Sequence, residues 1–169
     1  MTHLEKIMKP IIMPYWWQDF LTPLPRIICG FLLTSSFGAD KFGLPWSAAD
    51  KNLWLFEVAF WFPNDVAAYG EIFKMFTVLF GWMGAFSEAV GGLFLILGFQ
   101  TRIASFLGVS TMLVAIFVQQ INEGICNCLS AMGFLWVSLF GLIIGSGRLG
   151  LDCLLIKKIC IKWNYCYPS

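Results

Sequence analysis

The stretch from Met75 to Phe99, MFTVLFGWMGAFSEAVGGLFLILGF, decides how this chain is read. It is an apolar run long enough to cross a bilayer, and a single carboxylate, Glu88, stands near its centre. A charge at that depth costs between about 2.5 and more than 10 kcal/mol. Glu88 must therefore be paired, solvated or protonated. Around it Gly81, Gly84, Ala85, Gly91 and Gly92 recur at steps of three and four, so on a helix they share one stripe with the acid. The stripe predicts a Glu88 that faces protein and not lipid.

The rest of the chain agrees with a membrane setting. Its 169 residues are 59% hydrophobic and 12% charged, with a mean hydropathy of +0.76, far from the composition of a soluble domain. The expected fold is an all-α integral membrane four-helix bundle, one domain over residues 1–169, with spans near 25–42, 75–99, 102–120 and 129–146. Pro23 and Pro25 suit the start of the first span and Pro45 its end. Gly98 and Gln100-Thr101-Arg102 separate the second span from the third by so short a turn that the two must form an antiparallel hairpin. Asn122-Glu123-Gly124 closes the third span, and Gly147 and Arg148 follow the fourth.

Between the first two spans lie Leu53-Trp54-Leu55-Phe56 and Ala59-Phe60-Trp61-Phe62, the latter closed by Pro63. This stretch is apolar but too short to span, and Trp46, Trp54 and Trp61 favour the headgroup layer, so an interfacial or re-entrant helix is expected. Tyr15-Trp16-Trp17 forms a second aromatic belt on the opposite side. With both termini cytoplasmic, the inner side holds Lys6, Lys9, Arg26, Arg102, Arg148, Lys157, Lys158 and Lys162, against Lys41, Lys51 and Lys74 outside. The positive-inside rule selects that orientation. Asp40, Asp50, Glu57, Asp65, Glu71 and Glu123 then make the outer face mildly acidic. Pro10 and Pro14 interrupt any signal-peptide core, so the start is expected to be retained. No basic patch alternates with aromatics as nucleic-acid binding requires, and no nucleic-acid partner is expected.

Read at helical spacing, the first span places Arg26, Gly30, Thr34, Phe37 or Gly38, and Lys41 on one stripe. The third offers Ser105, Gly108, Thr111 or Met112, Ala115 and Gln119. The fourth offers Ser138, Gly141 and Gly145, the last two in GxxxG spacing. Glycines of this kind chiefly let helices approach. Glu88 carries two readings: a structural acid bonded to Thr34, Ser87 or a backbone carbonyl, or a proton acceptor or ligand to a quinone-like or small polar molecule. Arg26 and Lys41 sit roughly 22 Å apart along the first span, at about 1.5 Å per residue, and the sequence does not fix whether either reaches Glu88.

Cys126-Asn127-Cys128 falls in the loop assigned to the outer side, where a bridge across one residue would be strained and labile, as in a redox pair. Two thiolates are too few for a structural zinc site, and no metal site is expected. Cys29, Cys153, Cys160 and Cys166 are scattered. His3 is the sole histidine, which excludes bis-histidine haem ligation. No phosphate loop, nucleophile elbow or zinc-protease motif occurs.

The run Glu88-Ala89-Val90-Gly91-Gly92-Leu93, continued through Gly98-Phe99-Gln100-Thr101-Arg102 to Leu113-Val114-Ala115-Ile116-Phe117, closely resembles the central signature of the DoxX family. Gly145-Ser146-Gly147-Arg148-Leu149-Gly150-Leu151-Asp152 is similar to the family's closing motif. Many members end the first helix on His-Gly-x-x-Lys, whereas here Phe37-Gly38-Ala39-Asp40-Lys41 keeps the glycine and lysine and lacks the histidine. A role for that histidine does not carry over to Phe37. The resemblance implies a small four-helix protein of the bacterial inner membrane, some of whose relatives are subunits of thiosulfate:quinone oxidoreductase. It also implies Glu88, Lys41, Gly38, Thr101, Arg102, Arg148 and Asp152 as site residues, although Arg102 and Arg148 equally set topology.

The leading expectation is a subunit of, or accessory to, a quinone-linked membrane redox system. Its interior near Glu88 would accept a quinone or pass protons, and a membrane or peripheral protein partner would supply the redox centre. Apart from lipid and quinone, the chain shows no cofactor site of its own. The alternative is a non-catalytic scaffold or assembly protein. A transporter is disfavoured, since no inverted repeat is visible.

Overall fold

The computed structural model describes residues 14–47, 53–120 and 125–155. Asn122-Glu123-Gly124, His3, Cys160 and Cys166 lie outside them. Among the described residues all regular structure is helical, and the sole strand-like feature is an isolated antiparallel bridge between Phe42 and Val58. Helix α1 runs Trp16–Lys41, α2 Trp61–Ala67, α3 Glu71–Met75 and α4 Thr77–Leu97. Helix α5 covers Thr101–Val114 and continues as a π-helix over Ala115–Gln120, and α6 covers Ile125–Ile144. Three helices, Trp16–Lys41, Thr77–Leu97 and Thr101–Val118, are long and apolar enough to cross a membrane. Helix α6 is apolar from Cys128 to Ile144.

The distribution of polarity is that of a protein dissolved in lipid. Phe31, Trp136, Phe140 and Ile143 are at least 60% exposed, whereas Arg26, Thr34, Glu88, Ser105 and Ser138 are buried. With no aqueous drive to bury aliphatic side chains, the helices associate through close backbone approach and interhelical hydrogen bonds. Helix α1 packs on α4, α4 on α5, α5 on α6, and α6 returns to α1. Small residues sit at each seam. A Cβ on Gly30 would fall 2.5 Å from the Gly92 carbonyl oxygen, and one on Gly141 would collide with Ser105 Oγ.

Several boundaries differ from the sequence reading. A short helical stretch, Trp16–Leu21, precedes the predicted span within α1, and after a break at Thr22 the helix resumes at Pro23 with proline in its first positions, as the sequence predicts. Pro23 falls at a helix start, where a missing N–H costs little, and Thr22 Oγ1 donates to the Gln18 carbonyl at 2.6 Å, beside the Thr22 N–H that bonds the same oxygen. Pro63 does not close the apolar segment between α1 and α4 but lies in the first turn of α2, where a missing N–H costs nothing. Leu53-Trp54-Leu55-Phe56 is not helical. It is laced to the end of α1 by bonds from Gly43 N–H to the Glu57 carbonyl and from Phe56 N–H to the Gly43 carbonyl. Helix α6 starts at Ile125, which puts Cys126 and Cys128 in its first turn and not in a loop. Gly145 follows the end of α6 with φ of +77°, so Gly141 and Gly145 do not form a helix-face GxxxG; Gly145 terminates the helix.

Candidate functional site

The site forms where α1 ends against the middle of α4. Over Leu33–Gly38 the first helix is a π-helix, with Ala39 N–H bonded to the Thr34 carbonyl. The extra residue in the turn resolves the choice between Phe37 and Gly38 on the buried stripe. Phe37 rotates outward to 41% exposure and packs edge-on against Phe134, while Gly38 faces α4. A Cβ on Gly38 would lie 2.6 Å from Ala89 Cα, so backbone touches backbone one residue from Glu88. One turn earlier, Thr34 Oγ1 donates to the Ala89 carbonyl at 3.1 Å.

This close seam delivers Lys41 to Glu88. The Lys41 ammonium donates to both carboxylate oxygens, at 3.0 Å to Oε1 and 2.7 Å to Oε2. It also lies 4.7 Å from the centre of the Phe62 ring. The Glu88 side chain is 8% exposed and that of Lys41 18%. Neither Thr34 nor Ser87 bonds the acid, contrary to the structural reading of the sequence: Thr34 serves the Ala89 carbonyl, and Ser87 pairs with Thr111 Oγ1 at 2.7 Å. Desolvating two ions costs several kcal/mol each, which close contact must offset. Two short bonds and the face of Phe62, worth about 2 kcal/mol when desolvated, supply that contact. One ammonium donor thus lies directly on both carboxylate oxygens, so the hydrogen bonds of this pair run between two titratable side chains.

The lid over the pair is built from the connection to α2. Phe42 is fully buried, with its ring against Phe56, Trp82 and Phe86. Ala59 N–H donates to the Lys41 carbonyl at 2.9 Å, fixing the backbone from which the ammonium extends. Phe62 packs under Gly84 and Pro63 under Gly81. This connection thus packs on one face of α4, at Gly81, Gly84 and Phe86, while Val78 and Leu79 stay exposed.

The other residues expected at a site gather elsewhere, around the turn between α4 and α5. Gly98 has φ of +64°, and Gln100 has φ of +43°, which leaves the first N–H groups of α5 without a local cap. Asp152 supplies it from 52 and 51 residues away, accepting Gln100 N–H at 2.7 Å on Oδ1 and Thr101 N–H at 3.1 Å on Oδ2. A carboxylate here also meets the positive end of the helix dipole. Asp152 N–H donates back to the Gly98 carbonyl, and Arg26 Nη1 donates to the Ser146 carbonyl at 2.7 Å. A Cβ on Gly98 would fall 2.8 Å from Gly150 Cα and 2.9 Å from Arg26 Nη2, so only glycine fits both the angle and the space. Thr101 is fully buried, Arg102 Nη2 reaches toward the Ile143 carbonyl at 3.5 Å, and Arg148 pairs with Asp19 at 3.0 Å.

The structure therefore divides the expected residues. Glu88, Lys41 and Gly38 come together; Thr101, Arg102, Arg148 and Asp152 belong to the turn at the opposite end of α1. Cys128 is buried in the first turn of α6, and the Cys126 side chain lies outside the described residues. A helix does not turn residues two apart toward one another, which argues against the strained loop bridge. Phe62 and Asp19 escaped the sequence reading. Asp19 carried a signal, as an acid beside an aromatic belt; Phe62 carried none, since its role depends on where the connection folds.

A helical protein with apolar outer faces, glycine seams and a lysine–glutamate pair enclosed between two helices is an integral membrane protein. Its family is equally clear: the DoxX family model matches residues 24–120, more than half of the chain, and the protein belongs to that family. No curated protein and no solved structure matches it.

Proposed function

We propose that the protein is a membrane-embedded accessory subunit of a quinone-linked redox system, in which the Lys41–Glu88 pair holds and passes protons while a partner carries the redox centre. The single observation that carries this reading is the carboxylate near the middle of α4 with both oxygens on one ammonium at 2.7 and 3.0 Å. Each Glu88 oxygen accepts one bond from Lys41, so a quinol hydroxyl would share the carboxylate with the ammonium. In this reading the four long helices form a transmembrane bundle in a bacterial inner membrane, both termini are cytoplasmic, and α2 with the 53–60 stretch before it re-enters from the outer side. The positive-inside count supports that orientation.

The test uses the full chain with its partner in lipid nanodiscs. Electrons should pass to a short-chain benzoquinone, and Glu88→Gln should slow the transfer while leaving the thermal midpoint close to that of the parent. Absence of quinone-dependent transfer in the parent complex removes the reading. The completeness with which Glu88 is paired and covered favours one alternative, a non-catalytic scaffold. Then Glu88→Gln would leave the complex fully active, whereas a bulky residue at Gly141 would disassemble it.

A further inference from the structure

Away from the ion pair, α1 and α6 diverge and leave a cavity of about 530 Å³. Its lining includes Trp17, Gln18, Arg26, Trp136, Val137 and Phe140. This size suits a small-molecule headgroup and the start of a tail. Two polar atoms of the lining are buried without a hydrogen-bond partner: Gln18 Oε1 and Arg26 Nε. Arg26 is 6% exposed, and its Nη1 is already committed to the Ser146 carbonyl. Buried polar groups are satisfied in the great majority of cases, so a donor and an acceptor stranded in one groove point to a ligand that carries the complement of both.

We infer that this groove binds the head of a neutral, ring-bearing lipid of the quinone–quinol class, with a carbonyl or hydroxyl oxygen on Arg26 Nε–H and a hydroxyl donor on Gln18 Oε1. The choice of class rests on the redox reading above; the groove and its stranded atoms do not. Neutrality follows from charge balance. Arg26 Nη2 packs against Gly98, whose carbonyl accepts the Asp152 N–H, so a carboxylate already stands beside the guanidinium, and the neighbouring acid Asp19 is paired with Arg148. An anionic phosphate is therefore not called for. A flat head follows from the walls, since Trp17, Trp136 and Phe140 present rings to it. These three are 48%, 65% and 60% exposed on a surface that faces acyl chains, so a tail can leave sideways into the bilayer. The site lies at the Arg26 end of α1, away from Glu88, and so separates binding of the head from the proton pair.

The probe is decylubiquinol, whose hydroxyl supplies the donor that Gln18 Oε1 lacks, titrated without oxygen into phosphatidylcholine nanodiscs holding the full chain and followed by the change in tryptophan fluorescence. A saturable component is expected from Trp17 and Trp136. Gln18→Leu should weaken it about tenfold, as expected for a buried bond lost. Val137→Phe, which fills the groove, should abolish it. Ile143→Phe, on the lipid face of α6 outside the groove, should leave it unchanged, and near-ultraviolet circular dichroism confirms that each variant is folded. Monoolein, which carries an ester carbonyl and hydroxyls without a ring, should not displace the probe. No saturable component in the parent, or one that survives both Gln18→Leu and Val137→Phe, overturns the proposal. Displacement by monoolein overturns the assignment of a ring-bearing head. The redox reading fails separately: saturable binding without electron transfer to a partner keeps the groove and removes the accessory role, and transfer that persists in Val137→Phe does the reverse.

Discussion

The two ends of α1 solve the same problem, a buried charge, in opposite ways. At the Arg26 end the charged groups are bonded mainly to backbone: Arg26 to the Ser146 carbonyl, Asp152 to the N–H groups of Gln100 and Thr101. At the Lys41 end the charged groups are bonded to each other. A charge that satisfies fixed backbone groups cannot be neutralised without undoing a turn. A charge that satisfies another side chain can be neutralised by moving one proton. The first arrangement holds a hairpin together and the second joins two helices through a pair of titratable side chains, although the two look alike in a list of buried ionisable residues.

Lys41→Met gives the largest expected effect, because it strands the Glu88 carboxylate. A loss of about 3–5 kcal/mol is expected in unfolding from mixed micelles. The double variant Lys41→Met/Glu88→Leu should recover most of it. Strict additivity of the two single losses would show that the residues do not act as a pair. Asp152→Ala comes next, at about 3 kcal/mol for two charge-assisted bonds to a helix start. Hydrogen exchange should accelerate at Gln100 and Thr101 and leave the residues around Glu88 protected; loss of protection at both ends would mean that the ends are not separable. Gly38→Ala should cost about 1–3 kcal/mol, since the added methyl meets Ala89 backbone, which cannot move aside. It should also weaken the coupling measured between Lys41 and Glu88, and an unchanged coupling would detach the glycine seam from the ion pair. Arg148→Ala should be smallest, at about 1–2 kcal/mol: Arg148 is half exposed and its contact is screened by salt, but the Asp19 carboxylate that it leaves behind is buried. A larger loss, insensitive to salt, would place that pair in the same class as Lys41 and Glu88.

Much of the Glu88 face was legible in sequence. Gly30, Thr34 and Lys41 recur with a helix period, and a lone acid in an apolar run demands an inward face whatever surrounds it. What could not be read was the partner. From a straight helix, Arg26 and Lys41 were equal candidates, and the π-turn over Leu33–Gly38 and the methyl-free contact of Gly38 with Ala89 made the difference. Neither has a composition signature. The roles of Thr101 and Asp152 were visible only as resemblance, since a cap that spans 51 residues leaves no local pattern. The cysteine pair misled because Asn127 and the preceding Asn122-Glu123-Gly124 suggested a loop that extended too far.

By itself the sequence determined that the chain is helical, that it belongs in a bilayer, and that Glu88 faces inward. These follow from hydrophobic run length and from the cost of a charge in lipid, which hold for any arrangement of the helices. Tertiary structure alone decided that Lys41 and not Arg26 meets Glu88, that Asp152 caps α5, and that Gln18 and Arg26 share a groove with α6. Each depends on distances of a few tenths of an ångström between elements remote in the chain, where hydrogen bonds form or fail.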